Sequence, residues 1–218
     1  MPQITSIEPQ KKRSGRFNIF LDGEFAFGID ENVLVKNAIK KGQELSNVQI
    51  AKIIKDNELA KLFDQSLRFL SYRPRSEKET VDYLAKKITQ KENIDFKKAR
   101  QSPLLKQVVE KLKKYKYLND LDFSKWWVIS RTKSNPKGPY VIRAELAQKG
   151  IPKQIVESVL KLYPKQSLVA QKLIEKKFKN WQKLAPLDLK KKIYSYLAFR
   201  GFDSSVIIKL IAQFSKKR

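Results

Sequence analysis

Lysine and arginine residues that recur at helical spacing are the side chains in this sequence best suited to bind a ligand. The chain of 218 residues has 47 Lys and Arg against 22 Asp and Glu, a formal net charge of +25. This surplus predicts a polyanionic partner, because a protein that neutralises phosphates releases their counterions and gains affinity. For any single run, a solvated helix face is the alternative interpretation. The clearest runs are Lys172, Lys176, Lys179 and Lys183; Lys190, Lys191 and Lys192; and Lys111, Lys113 and Lys114.

Aromatic side chains that lie among these charges are the second group of candidate contacts. Unpaired bases stack on exposed rings, whereas the commoner role of such rings is to fill the core of a small helical unit. Trp126 and Trp127 are neighbours, so on a helix they point about 100° apart and one can be buried while the other lies at the edge. The candidates are Tyr72, Tyr115, Tyr117, Trp126, Trp127 and Trp181.

The composition excludes several catalytic chemistries. The sequence has no Cys and no His, which excludes Cys and His nucleophiles, His bases, disulfides and zinc sites built on these residues. It also lacks the glycine-rich strings of phosphate-binding loops. Asp120 and Asp122 form a close acidic pair in the helical part, and such a pair is more typical of a helix cap than of a metal site. We therefore predict a protein that is not an enzyme and needs no cofactor or metal.

Charge and glycine content divide the chain near residue 57. Residues 1–58 carry nine basic and eight acidic side chains, whereas residues 59–218 carry 38 and 14. The predicted domain at 1–56 contains strands at Ile4–Glu8, Arg16–Leu21 and Glu24–Gly28 and a helix at Glu31–Ile39 capped by Asp30. Asp22-Gly23 predicts a two-residue hairpin turn, because both of its positions require φ > 0. No apolar run is long enough for a membrane span, and the N-terminus does not resemble a signal peptide. We therefore expect a soluble, cytoplasmic protein.

The remainder predicts nine helices with well-marked ends. Ser76 and Glu79 form a capping box, Pro103 takes a first helical position, and Asp120 caps the fourth helix. Gly150 is predicted to end the fifth helix in the left-handed conformation, and the eighth helix is predicted to end at Gly201.

An internal repeat explains the nine helices. Leu146–Ile151 superposes on Leu197–Phe202, and apolar residues follow each string at the same offsets. The predicted units are repeat 1 at 57–119, repeat 2 at 120–164 and repeat 3 at 165–218. The fold class is therefore mainly α, with three tandem three-helix repeats in an elongated curved array after a small N-terminal domain that contains a β-hairpin. We expect a monomer.

Four regions of the chain resemble the RecX family of recombination regulators. Ser71–Glu79 (SYRPRSEKE) resembles the family's first-repeat motif, and Tyr117–Asp120 (YLND), followed by Phe123 and Arg131, resembles the segment that joins repeats 1 and 2. Lys137-Gly138, then Glu145-Leu146 and Lys149–Ile151, resemble the core of the second repeat. Two N-terminal strings, Ile7–Arg13 and Leu21–Glu24, resemble an extension that some members carry. Some members with this extension have longer C-termini than a chain that ends at Arg218.

The resemblance implies a partner, the RecA filament assembled on single-stranded DNA. It implies that the chain lies in the groove of that filament, suppresses the ATPase and strand exchange of RecA, and favours disassembly. Two alternatives stay open: a non-specific DNA-binding protein without RecA contact, and a helical scaffold for an acidic protein. Position near repeat junctions or within lysine runs selects the candidate contacts for RecA or DNA. These are Arg73, Arg75, Lys78, Arg131, Lys133, Lys137, Arg143, Lys149, Lys153, Lys190, Lys191, Lys192 and Arg200.

Overall fold

The structure is a computed structural model that describes residues 1–11 and 14–216. Lys12 and Arg13 of the N-terminal string, and Lys217 and Arg218 of the third predicted repeat, lie outside the described residues. The described residues form eleven helices and one three-stranded sheet, which confirms a mainly α protein with a small N-terminal β region. The chain divides into two compact units. The first contains Met1–Arg73 and Thr80–Tyr117, and the second contains Pro74–Glu79 and the residues from Leu118 onward.

The N-terminal sheet is antiparallel, in the order β1 (Ile4–Pro9), β2 (Arg16–Leu21) and β3 (Glu24–Asp30). Asp22 and Gly23 join β2 to β3 with φ values of 51° and 89°, which confirms the predicted two-residue turn. All three strands and the segments that follow them supply one apolar core. Its buried members are Ile4, Ile19, Ile29, Val33, Ile39, Leu45 and Ile53.

Helix α1 (Glu31–Lys36) is shorter than predicted. Asp30 caps it as expected, since its carboxylate accepts a hydrogen bond from the Asn32 N–H at 3.0 Å. The prediction that the helix extends to Ile39 is wrong, because Ala38 adopts a left-handed φ of 48° and breaks the helical path. Ile39 instead enters the core, where it is 4% exposed.

Helix α2 (Asn47–Ser71) crosses residue 57 without interruption, so the predicted domain boundary falls within it. Asn57 holds this helix to β3: its amide Nδ2 donates to the Gly28 carbonyl at 2.8 Å and its Oδ1 accepts from the Asp30 N–H at 3.2 Å. The first half of α2 therefore completes the N-terminal core, while its second half belongs to the first repeat region.

The first repeat region continues with α3 (Glu77–Glu92), α4 (Phe96–Arg100) and α5 (Pro103–Lys114). The capping box is confirmed, because the Glu79 N–H donates to Ser76 Oγ at 3.2 Å and the Ser76 N–H donates to the Glu79 carboxylate at 3.3 Å. The prediction of nine helices is wrong by one. The described residues from 47 onward form ten, because Asp95 caps the short α4 within the connection from α3 to α5.

The second repeat consists of α6 (Asp120–Lys133), α7 (Pro139–Gln148) and α8 (Lys153–Leu160). The predicted cap of α6 is wrong by one residue. Asn119 has the extended backbone of a cap, and its Oδ1 accepts from the N–H groups of Leu121 at 2.9 Å and Asp122 at 3.3 Å. Asp120 lies in the first turn and accepts from the Glu77 N–H at 2.8 Å instead.

The third repeat consists of α9 (Gln166–Trp181), α10 (Pro186–Phe199) and α11 (Ser204–Lys216). The superposed strings have the same backbone geometry. Gly150 and Gly201 have φ values of 79° and 80°, and the next residue donates to the carbonyl five positions back in both strings, at 3.1 Å and 3.2 Å. This agreement confirms that the two strings are copies of one structural unit.

Candidate nucleic-acid interface

The third repeat holds the largest surplus of cations. Residues 165–218 contain 14 Lys and Arg but only three Asp and Glu. Two of these carboxylates accept hydrogen bonds from glutamine amides: Glu175 from Gln171 at 2.8 Å and Asp203 from Gln166 at 2.6 Å. The lysines of α9, of the connection to α10 and of the start of α10 are exposed and, within the described residues, form no ion pair. They are Lys172, Lys176, Lys177, Lys179, Lys183, Lys190, Lys191 and Lys192.

The predicted cluster of three consecutive lysines lies on the outer face of α10. The cluster, Lys190–Lys192, is flanked by Leu189 and Ile193, which are 1% and 0% exposed and fix the inward face of the helix. Lys191 and Lys192 also line an open depression of about 560 Å³ together with Trp181. The Asp188 carboxylate lines the same depression, so an anionic ligand there would meet two ammonium groups beside one acidic group.

Arg131 is bound within the second repeat rather than free on its surface. Its Nε donates to the Glu145 carboxylate at 2.7 Å, and its guanidinium lies 4.4 Å from the centroid of the Trp127 ring. The Trp127 indole N–H donates to the same carboxylate oxygen at 2.8 Å. One carboxylate on α7 thus satisfies a half-buried guanidinium and the N–H of a core tryptophan on α6.

Lys149 and Lys78 hold the segment Pro74–Glu79 to the second repeat. The Lys149 ammonium lies 2.5 Å from the Glu79 carboxylate, and the Lys78 ammonium donates to the Gln148 carbonyl at 2.9 Å. A side chain at Gly150 would meet the Lys78 methylenes at 2.9 Å, so the glycine permits this close approach. Both lysines therefore serve the packing of the fold.

Arg143 forms an exposed, two-point ion pair with Glu157. The guanidinium donates to the two carboxylate oxygens at 2.8 Å and 3.2 Å. This hydrogen bonding lowers the pKa of Glu157 and raises the pKa of Arg143. Arg143 is thus at the surface but already has an anionic partner.

Lys137 and Arg200 lie where the second repeat meets the third. The Gly138 N–H donates to the Arg200 carbonyl at 2.7 Å, and a side chain at Gly138 would fall 2.1 Å from the Gly201 carbonyl oxygen. The Arg200 guanidinium donates to the Asn135 amide at 3.3 Å, and the Lys137 carbonyl accepts from the Tyr163 hydroxyl at 2.8 Å. Burial raises the pKa of Tyr163 to about 12.

The remaining predicted contacts differ in exposure. Arg73 and Arg75 are half-buried on either side of Pro74, and both have interactions within the chain. Lys133 and Lys153 are exposed at opposite ends of the second repeat's helices, the first ending α6 and the second beginning α8. The predicted residues are therefore spread over the repeats rather than gathered in one pocket.

The candidate aromatic residues separate into core and surface groups. Trp127 is 9% exposed in the core of the second repeat, with Trp126 partly buried against it, and Trp181 is partly buried in the third repeat. Tyr72, Tyr115 and Tyr117 are exposed by 84%, 56% and 55%. Core packing therefore accounts for the tryptophans, and the exposed aromatic candidates are these tyrosines.

A polar cavity of about 640 Å³ lies in the first unit, lined by side chains that sequence reasoning did not connect. Burial and the neighbouring Asp30 raise the pKa of the Asp64 carboxyl. No sequence signal could have grouped these residues, because they come from the turn before β2, from the start of β2, from the end of β3 and from the second half of α2. The lining residues are Ser14, Arg16, Asp30, Lys61, Asp64, Gln65 and Arg68.

Neither a metal-binding cluster nor a membrane-spanning helix occurs among the described residues. In that part of the chain, no group of three or more His, Cys, Asp or Glu residues is arranged to hold a metal ion. Among the same residues, no helix combines the length and apolar character that crossing a lipid bilayer requires.

Sequence profiles of four domain families match successive parts of the chain. The profile described as "Regulatory protein RecX N-terminal domain" matches residues 2–46. The first, second and third three-helix domains of RecX match residues 63–95, 119–160 and 169–211. The order of the matches is the order of the repeats along the chain.

Full-length relatives and solved structures agree with these matches. "Regulatory protein RecX" of Bacillus subtilis is 41% identical over 209 residues, which are 95% of this chain and 75% of the relative. The protein of the same name from Bacillus pumilus is 37% identical over 215 residues, covering 98% and 78%. A crystal structure of regulatory protein RecX superposes with a TM-score of 0.72 at 31% identity, covering 98% of this chain and all of that one. The structure of RecX from Lactobacillus salivarius, 24% identical with a TM-score of 0.60, supports the fold alone.

Proposed function

The chain belongs to the RecX family of regulatory proteins, and from this premise we propose that it binds the RecA filament on single-stranded DNA. By binding, it inhibits the ATPase and strand exchange of RecA and so modulates DNA repair and recombination. In this role it acts as a cytoplasmic monomer, by binding and not by catalysis.

The observation that carries the proposal is the unbalanced charge of the third repeat. Its exposed lysines have no anionic partner within the described residues. Their mutual repulsion is therefore relieved when an anionic ligand binds. The phosphates of the filament's DNA supply that anion, with release of counterions. Lys133, Lys153 and Lys190–Lys192 are the predicted residues best placed to bind phosphate, because they are exposed.

The remaining predicted cations are proposed to act less directly. Arg131, Lys78 and Lys149 position backbone and core side chains, as their contacts with Glu145, Gln148 and Glu79 indicate. Arg143 reaches a phosphate once it leaves Glu157. Lys137 and Arg200 maintain the junction of the second and third repeats.

The RecA ATPase assay on single-stranded DNA tests the proposal directly. Filament binding predicts inhibition at protein amounts far below those that cover the DNA. If inhibition appears only when the DNA is coated, competition for DNA explains it and the RecA contact is absent.

A second candidate function is non-specific DNA binding, which the even spread of exposed lysines over the third repeat favours. About five phosphate contacts would give a log–log salt slope near −3.5 on single strands. A slope near zero would contradict both candidates and favour a scaffold for an acidic protein.

Arginine variants at the start of the first-repeat motif separate the two candidates. Arginine makes planar two-point contacts with carboxylate or phosphate that lysine cannot copy. Replacing Arg73 and Arg75 together by Ala should therefore weaken ATPase inhibition more than affinity for bare single-stranded DNA. The matched variant, Arg73→Lys with Arg75→Lys, keeps the charge and should weaken inhibition nearly as much. Melting temperatures must be compared, because both side chains are half-buried. Equal loss of both activities would support the non-specific candidate.

A further inference from the structure

We propose that Tyr115 and Tyr117, which flank Lys116 at the end of α5, form a platform on which unpaired bases of single-stranded nucleic acid stack. The inference rests on the proposed function and deepens it, because it locates a contact with bases rather than with phosphates. It assigns this contact to the first repeat region rather than to the lysine cluster of the third.

The backbone holds the two tyrosines in fixed positions. The Tyr117 N–H donates to the Leu112 carbonyl at 2.9 Å, and the Lys116 N–H donates to the Lys113 carbonyl at 2.9 Å. These two bonds form the cap that ends many helices, in which the residue after the cap is left-handed. Lys116 is that residue, with φ of 61°. Two rings on a fixed backbone lose little conformational freedom when a ligand stacks on them.

The two tyrosine rings pack on Phe63 and are otherwise exposed to solvent. Phe63 of α2 lies beneath both, with centroid distances of 6.2 Å to Tyr115 and 6.4 Å to Tyr117, and the two tyrosine rings are 6.3 Å apart. Phe63 is half-buried, whereas more than half of each tyrosine surface is exposed. Lys111 places its ammonium 4.2 Å from the Phe63 centroid. The cluster therefore presents aromatic surface to solvent that the fold itself does not cover.

Lys116 occupies a left-handed backbone conformation that glycine adopts more easily. A non-glycine residue in the left-handed region is strained, and such strain concentrates at functional positions. The chain uses glycine for the same cap at Gly150 and Gly201, with φ of 79° and 80°. At residue 116 the chain instead has a lysine, whose sequence neighbours are the two exposed tyrosines. Local backbone geometry does not favour a lysine there.

Single-stranded nucleic acid is the occupant that this chemistry fits. Each base offers a π-face to a ring, and the backbone that links the bases offers phosphates to the lysines around them. Bases in a duplex are already stacked and do not present a free face. An acidic peptide would use the charges, but it does not offer a flat π-face at every residue as a strand of unpaired bases does. The cations beside the platform are Lys111, Lys113, Lys114 and Lys116.

The test compares a 12-nucleotide thymidine strand with an abasic strand of equal length and charge, both fluorescently labelled, in anisotropy titrations. The protein should bind the thymidine strand at least about tenfold more tightly than the abasic one, since each stacked base contributes about 1–3 kcal/mol. Replacing Tyr115 and Tyr117 by Ala should abolish that preference and leave affinity for the abasic strand unchanged. Replacing both by Phe should retain the preference. The control exchanges Tyr140 and Tyr194, exposed tyrosines of the second and third repeats, for Ala and should retain it too.

A second variant tests the strained lysine. Lys116→Gly should keep or raise the melting temperature while reducing the salt slope of DNA binding by about 0.7. A lower melting temperature would show that Lys116 serves the fold, which contradicts its assignment to the platform.

Several outcomes overturn the platform: equal affinity of the protein for thymidine and abasic strands, loss of the preference in the control, or equal loss for both strands in the Ala variant. Inhibition of RecA ATPase that persists in these cases leaves the proposed function standing. Absence of both strand binding and inhibition would overturn the proposed function along with the platform.

Discussion

The second and third repeats are copies of one three-helix unit, yet they use charge in different ways. The second carries eight basic and four acidic side chains in residues 120–164, and the third carries 14 and three in residues 165–218. In the second repeat, Glu145 and Glu157 each bind an arginine. In the third, Glu175 and Asp203 bind glutamines, and the exposed lysines of α9 and α10 have no acidic partner in the described part of the chain.

Position in a repeat therefore does not determine the role of a cation. A guanidinium bound to a half-buried carboxylate stabilises its own unit, and its charge is largely neutralised for a distant ligand. A solvated lysine contributes little to stability and retains its full attraction for phosphate. We therefore expect substitutions in the second repeat to change stability and those in the third to change binding.

The largest expected effect is on binding, from replacing Lys190, Lys191 and Lys192 by Gln. Each phosphate contact contributes about 0.7 to the slope on single strands, so losing three should lower affinity about 100-fold at 0.1 M salt. The melting temperature should stay unchanged, because all three side chains are exposed. Fluorescence anisotropy over a salt series measures the affinity and the slope together.

A control with the same change in net charge decides whether position matters. Lys40, Lys41 and Lys52 are exposed lysines of the nearly neutral N-terminal region, and they can be exchanged for Gln together. If this control weakens binding as much as the α10 variant, net charge alone attracts DNA and the comparison of repeats fails.

The next largest effect is on stability, from Glu145→Gln in the second repeat. The substitution removes the negative charge from the acceptor of two hydrogen bonds, one from the Trp127 indole and one from Arg131. Leaving half-buried donors poorly paired costs about 1–3 kcal/mol of the free energy of unfolding. Urea denaturation should show this loss, whereas affinity for single-stranded DNA should change much less. A large loss of affinity in a folded variant would show that Arg131 acts on the ligand.

A smaller stability effect is expected from Tyr163→Phe at the end of the second repeat. The change removes the hydrogen bond to the Lys137 carbonyl and should cost about 1 kcal/mol at pH 7. Because burial raises the pKa of Tyr163 to about 12 from an ordinary 10, the unfolded state ionises first. Stability is therefore complete below pH 10 and is lost as the pH rises from 10 to 12. The Phe variant should show less of this loss, so the two proteins should converge in alkaline melting curves.

Local spacing predicts several turns and caps but not the partners of the charged residues. The Asp22-Gly23 turn, the Ser76 capping box and the glycine at residue 150 depend on neighbours within a few positions, so their sequence patterns are readable. Glu145 contacts Trp127 and Arg131, which are 18 and 14 residues away, and the packing of two helices brings them together. Spacing along one helix carries no signal for such pairs.

Two other features carry no signal in residue spacing. Helix α2 shows no breaking residue near 57, and the boundary predicted from charge and glycine content lies inside this continuous helix. The left-handed Lys116 was missed because this conformation is expected of glycine or asparagine. The candidate site was therefore predictable in its charge and its exposed tyrosines, but not in the cap that holds those tyrosines.

The smallest expected effect is from Glu157→Gln, the exposed counterpart of Glu145→Gln. The Glu157 side chain is 44% exposed, against 22% for Glu145, so solvent already screens its attraction for Arg143. Because the Arg143 hydrogen bond lowers the pKa of Glu157 from 4.5, the pair stabilises the protein above that pH and loses this contribution as the pH falls through the lowered value. At pH 7 we expect a melting temperature close to that of the unsubstituted protein, well above that of the Glu145 variant. The same change releases Arg143, so affinity for single-stranded DNA should rise a few-fold at low salt. If Glu157→Gln instead destabilises the protein as much as Glu145→Gln, burial of the carboxylate does not determine whether the paired arginine stabilises the fold or can bind a ligand.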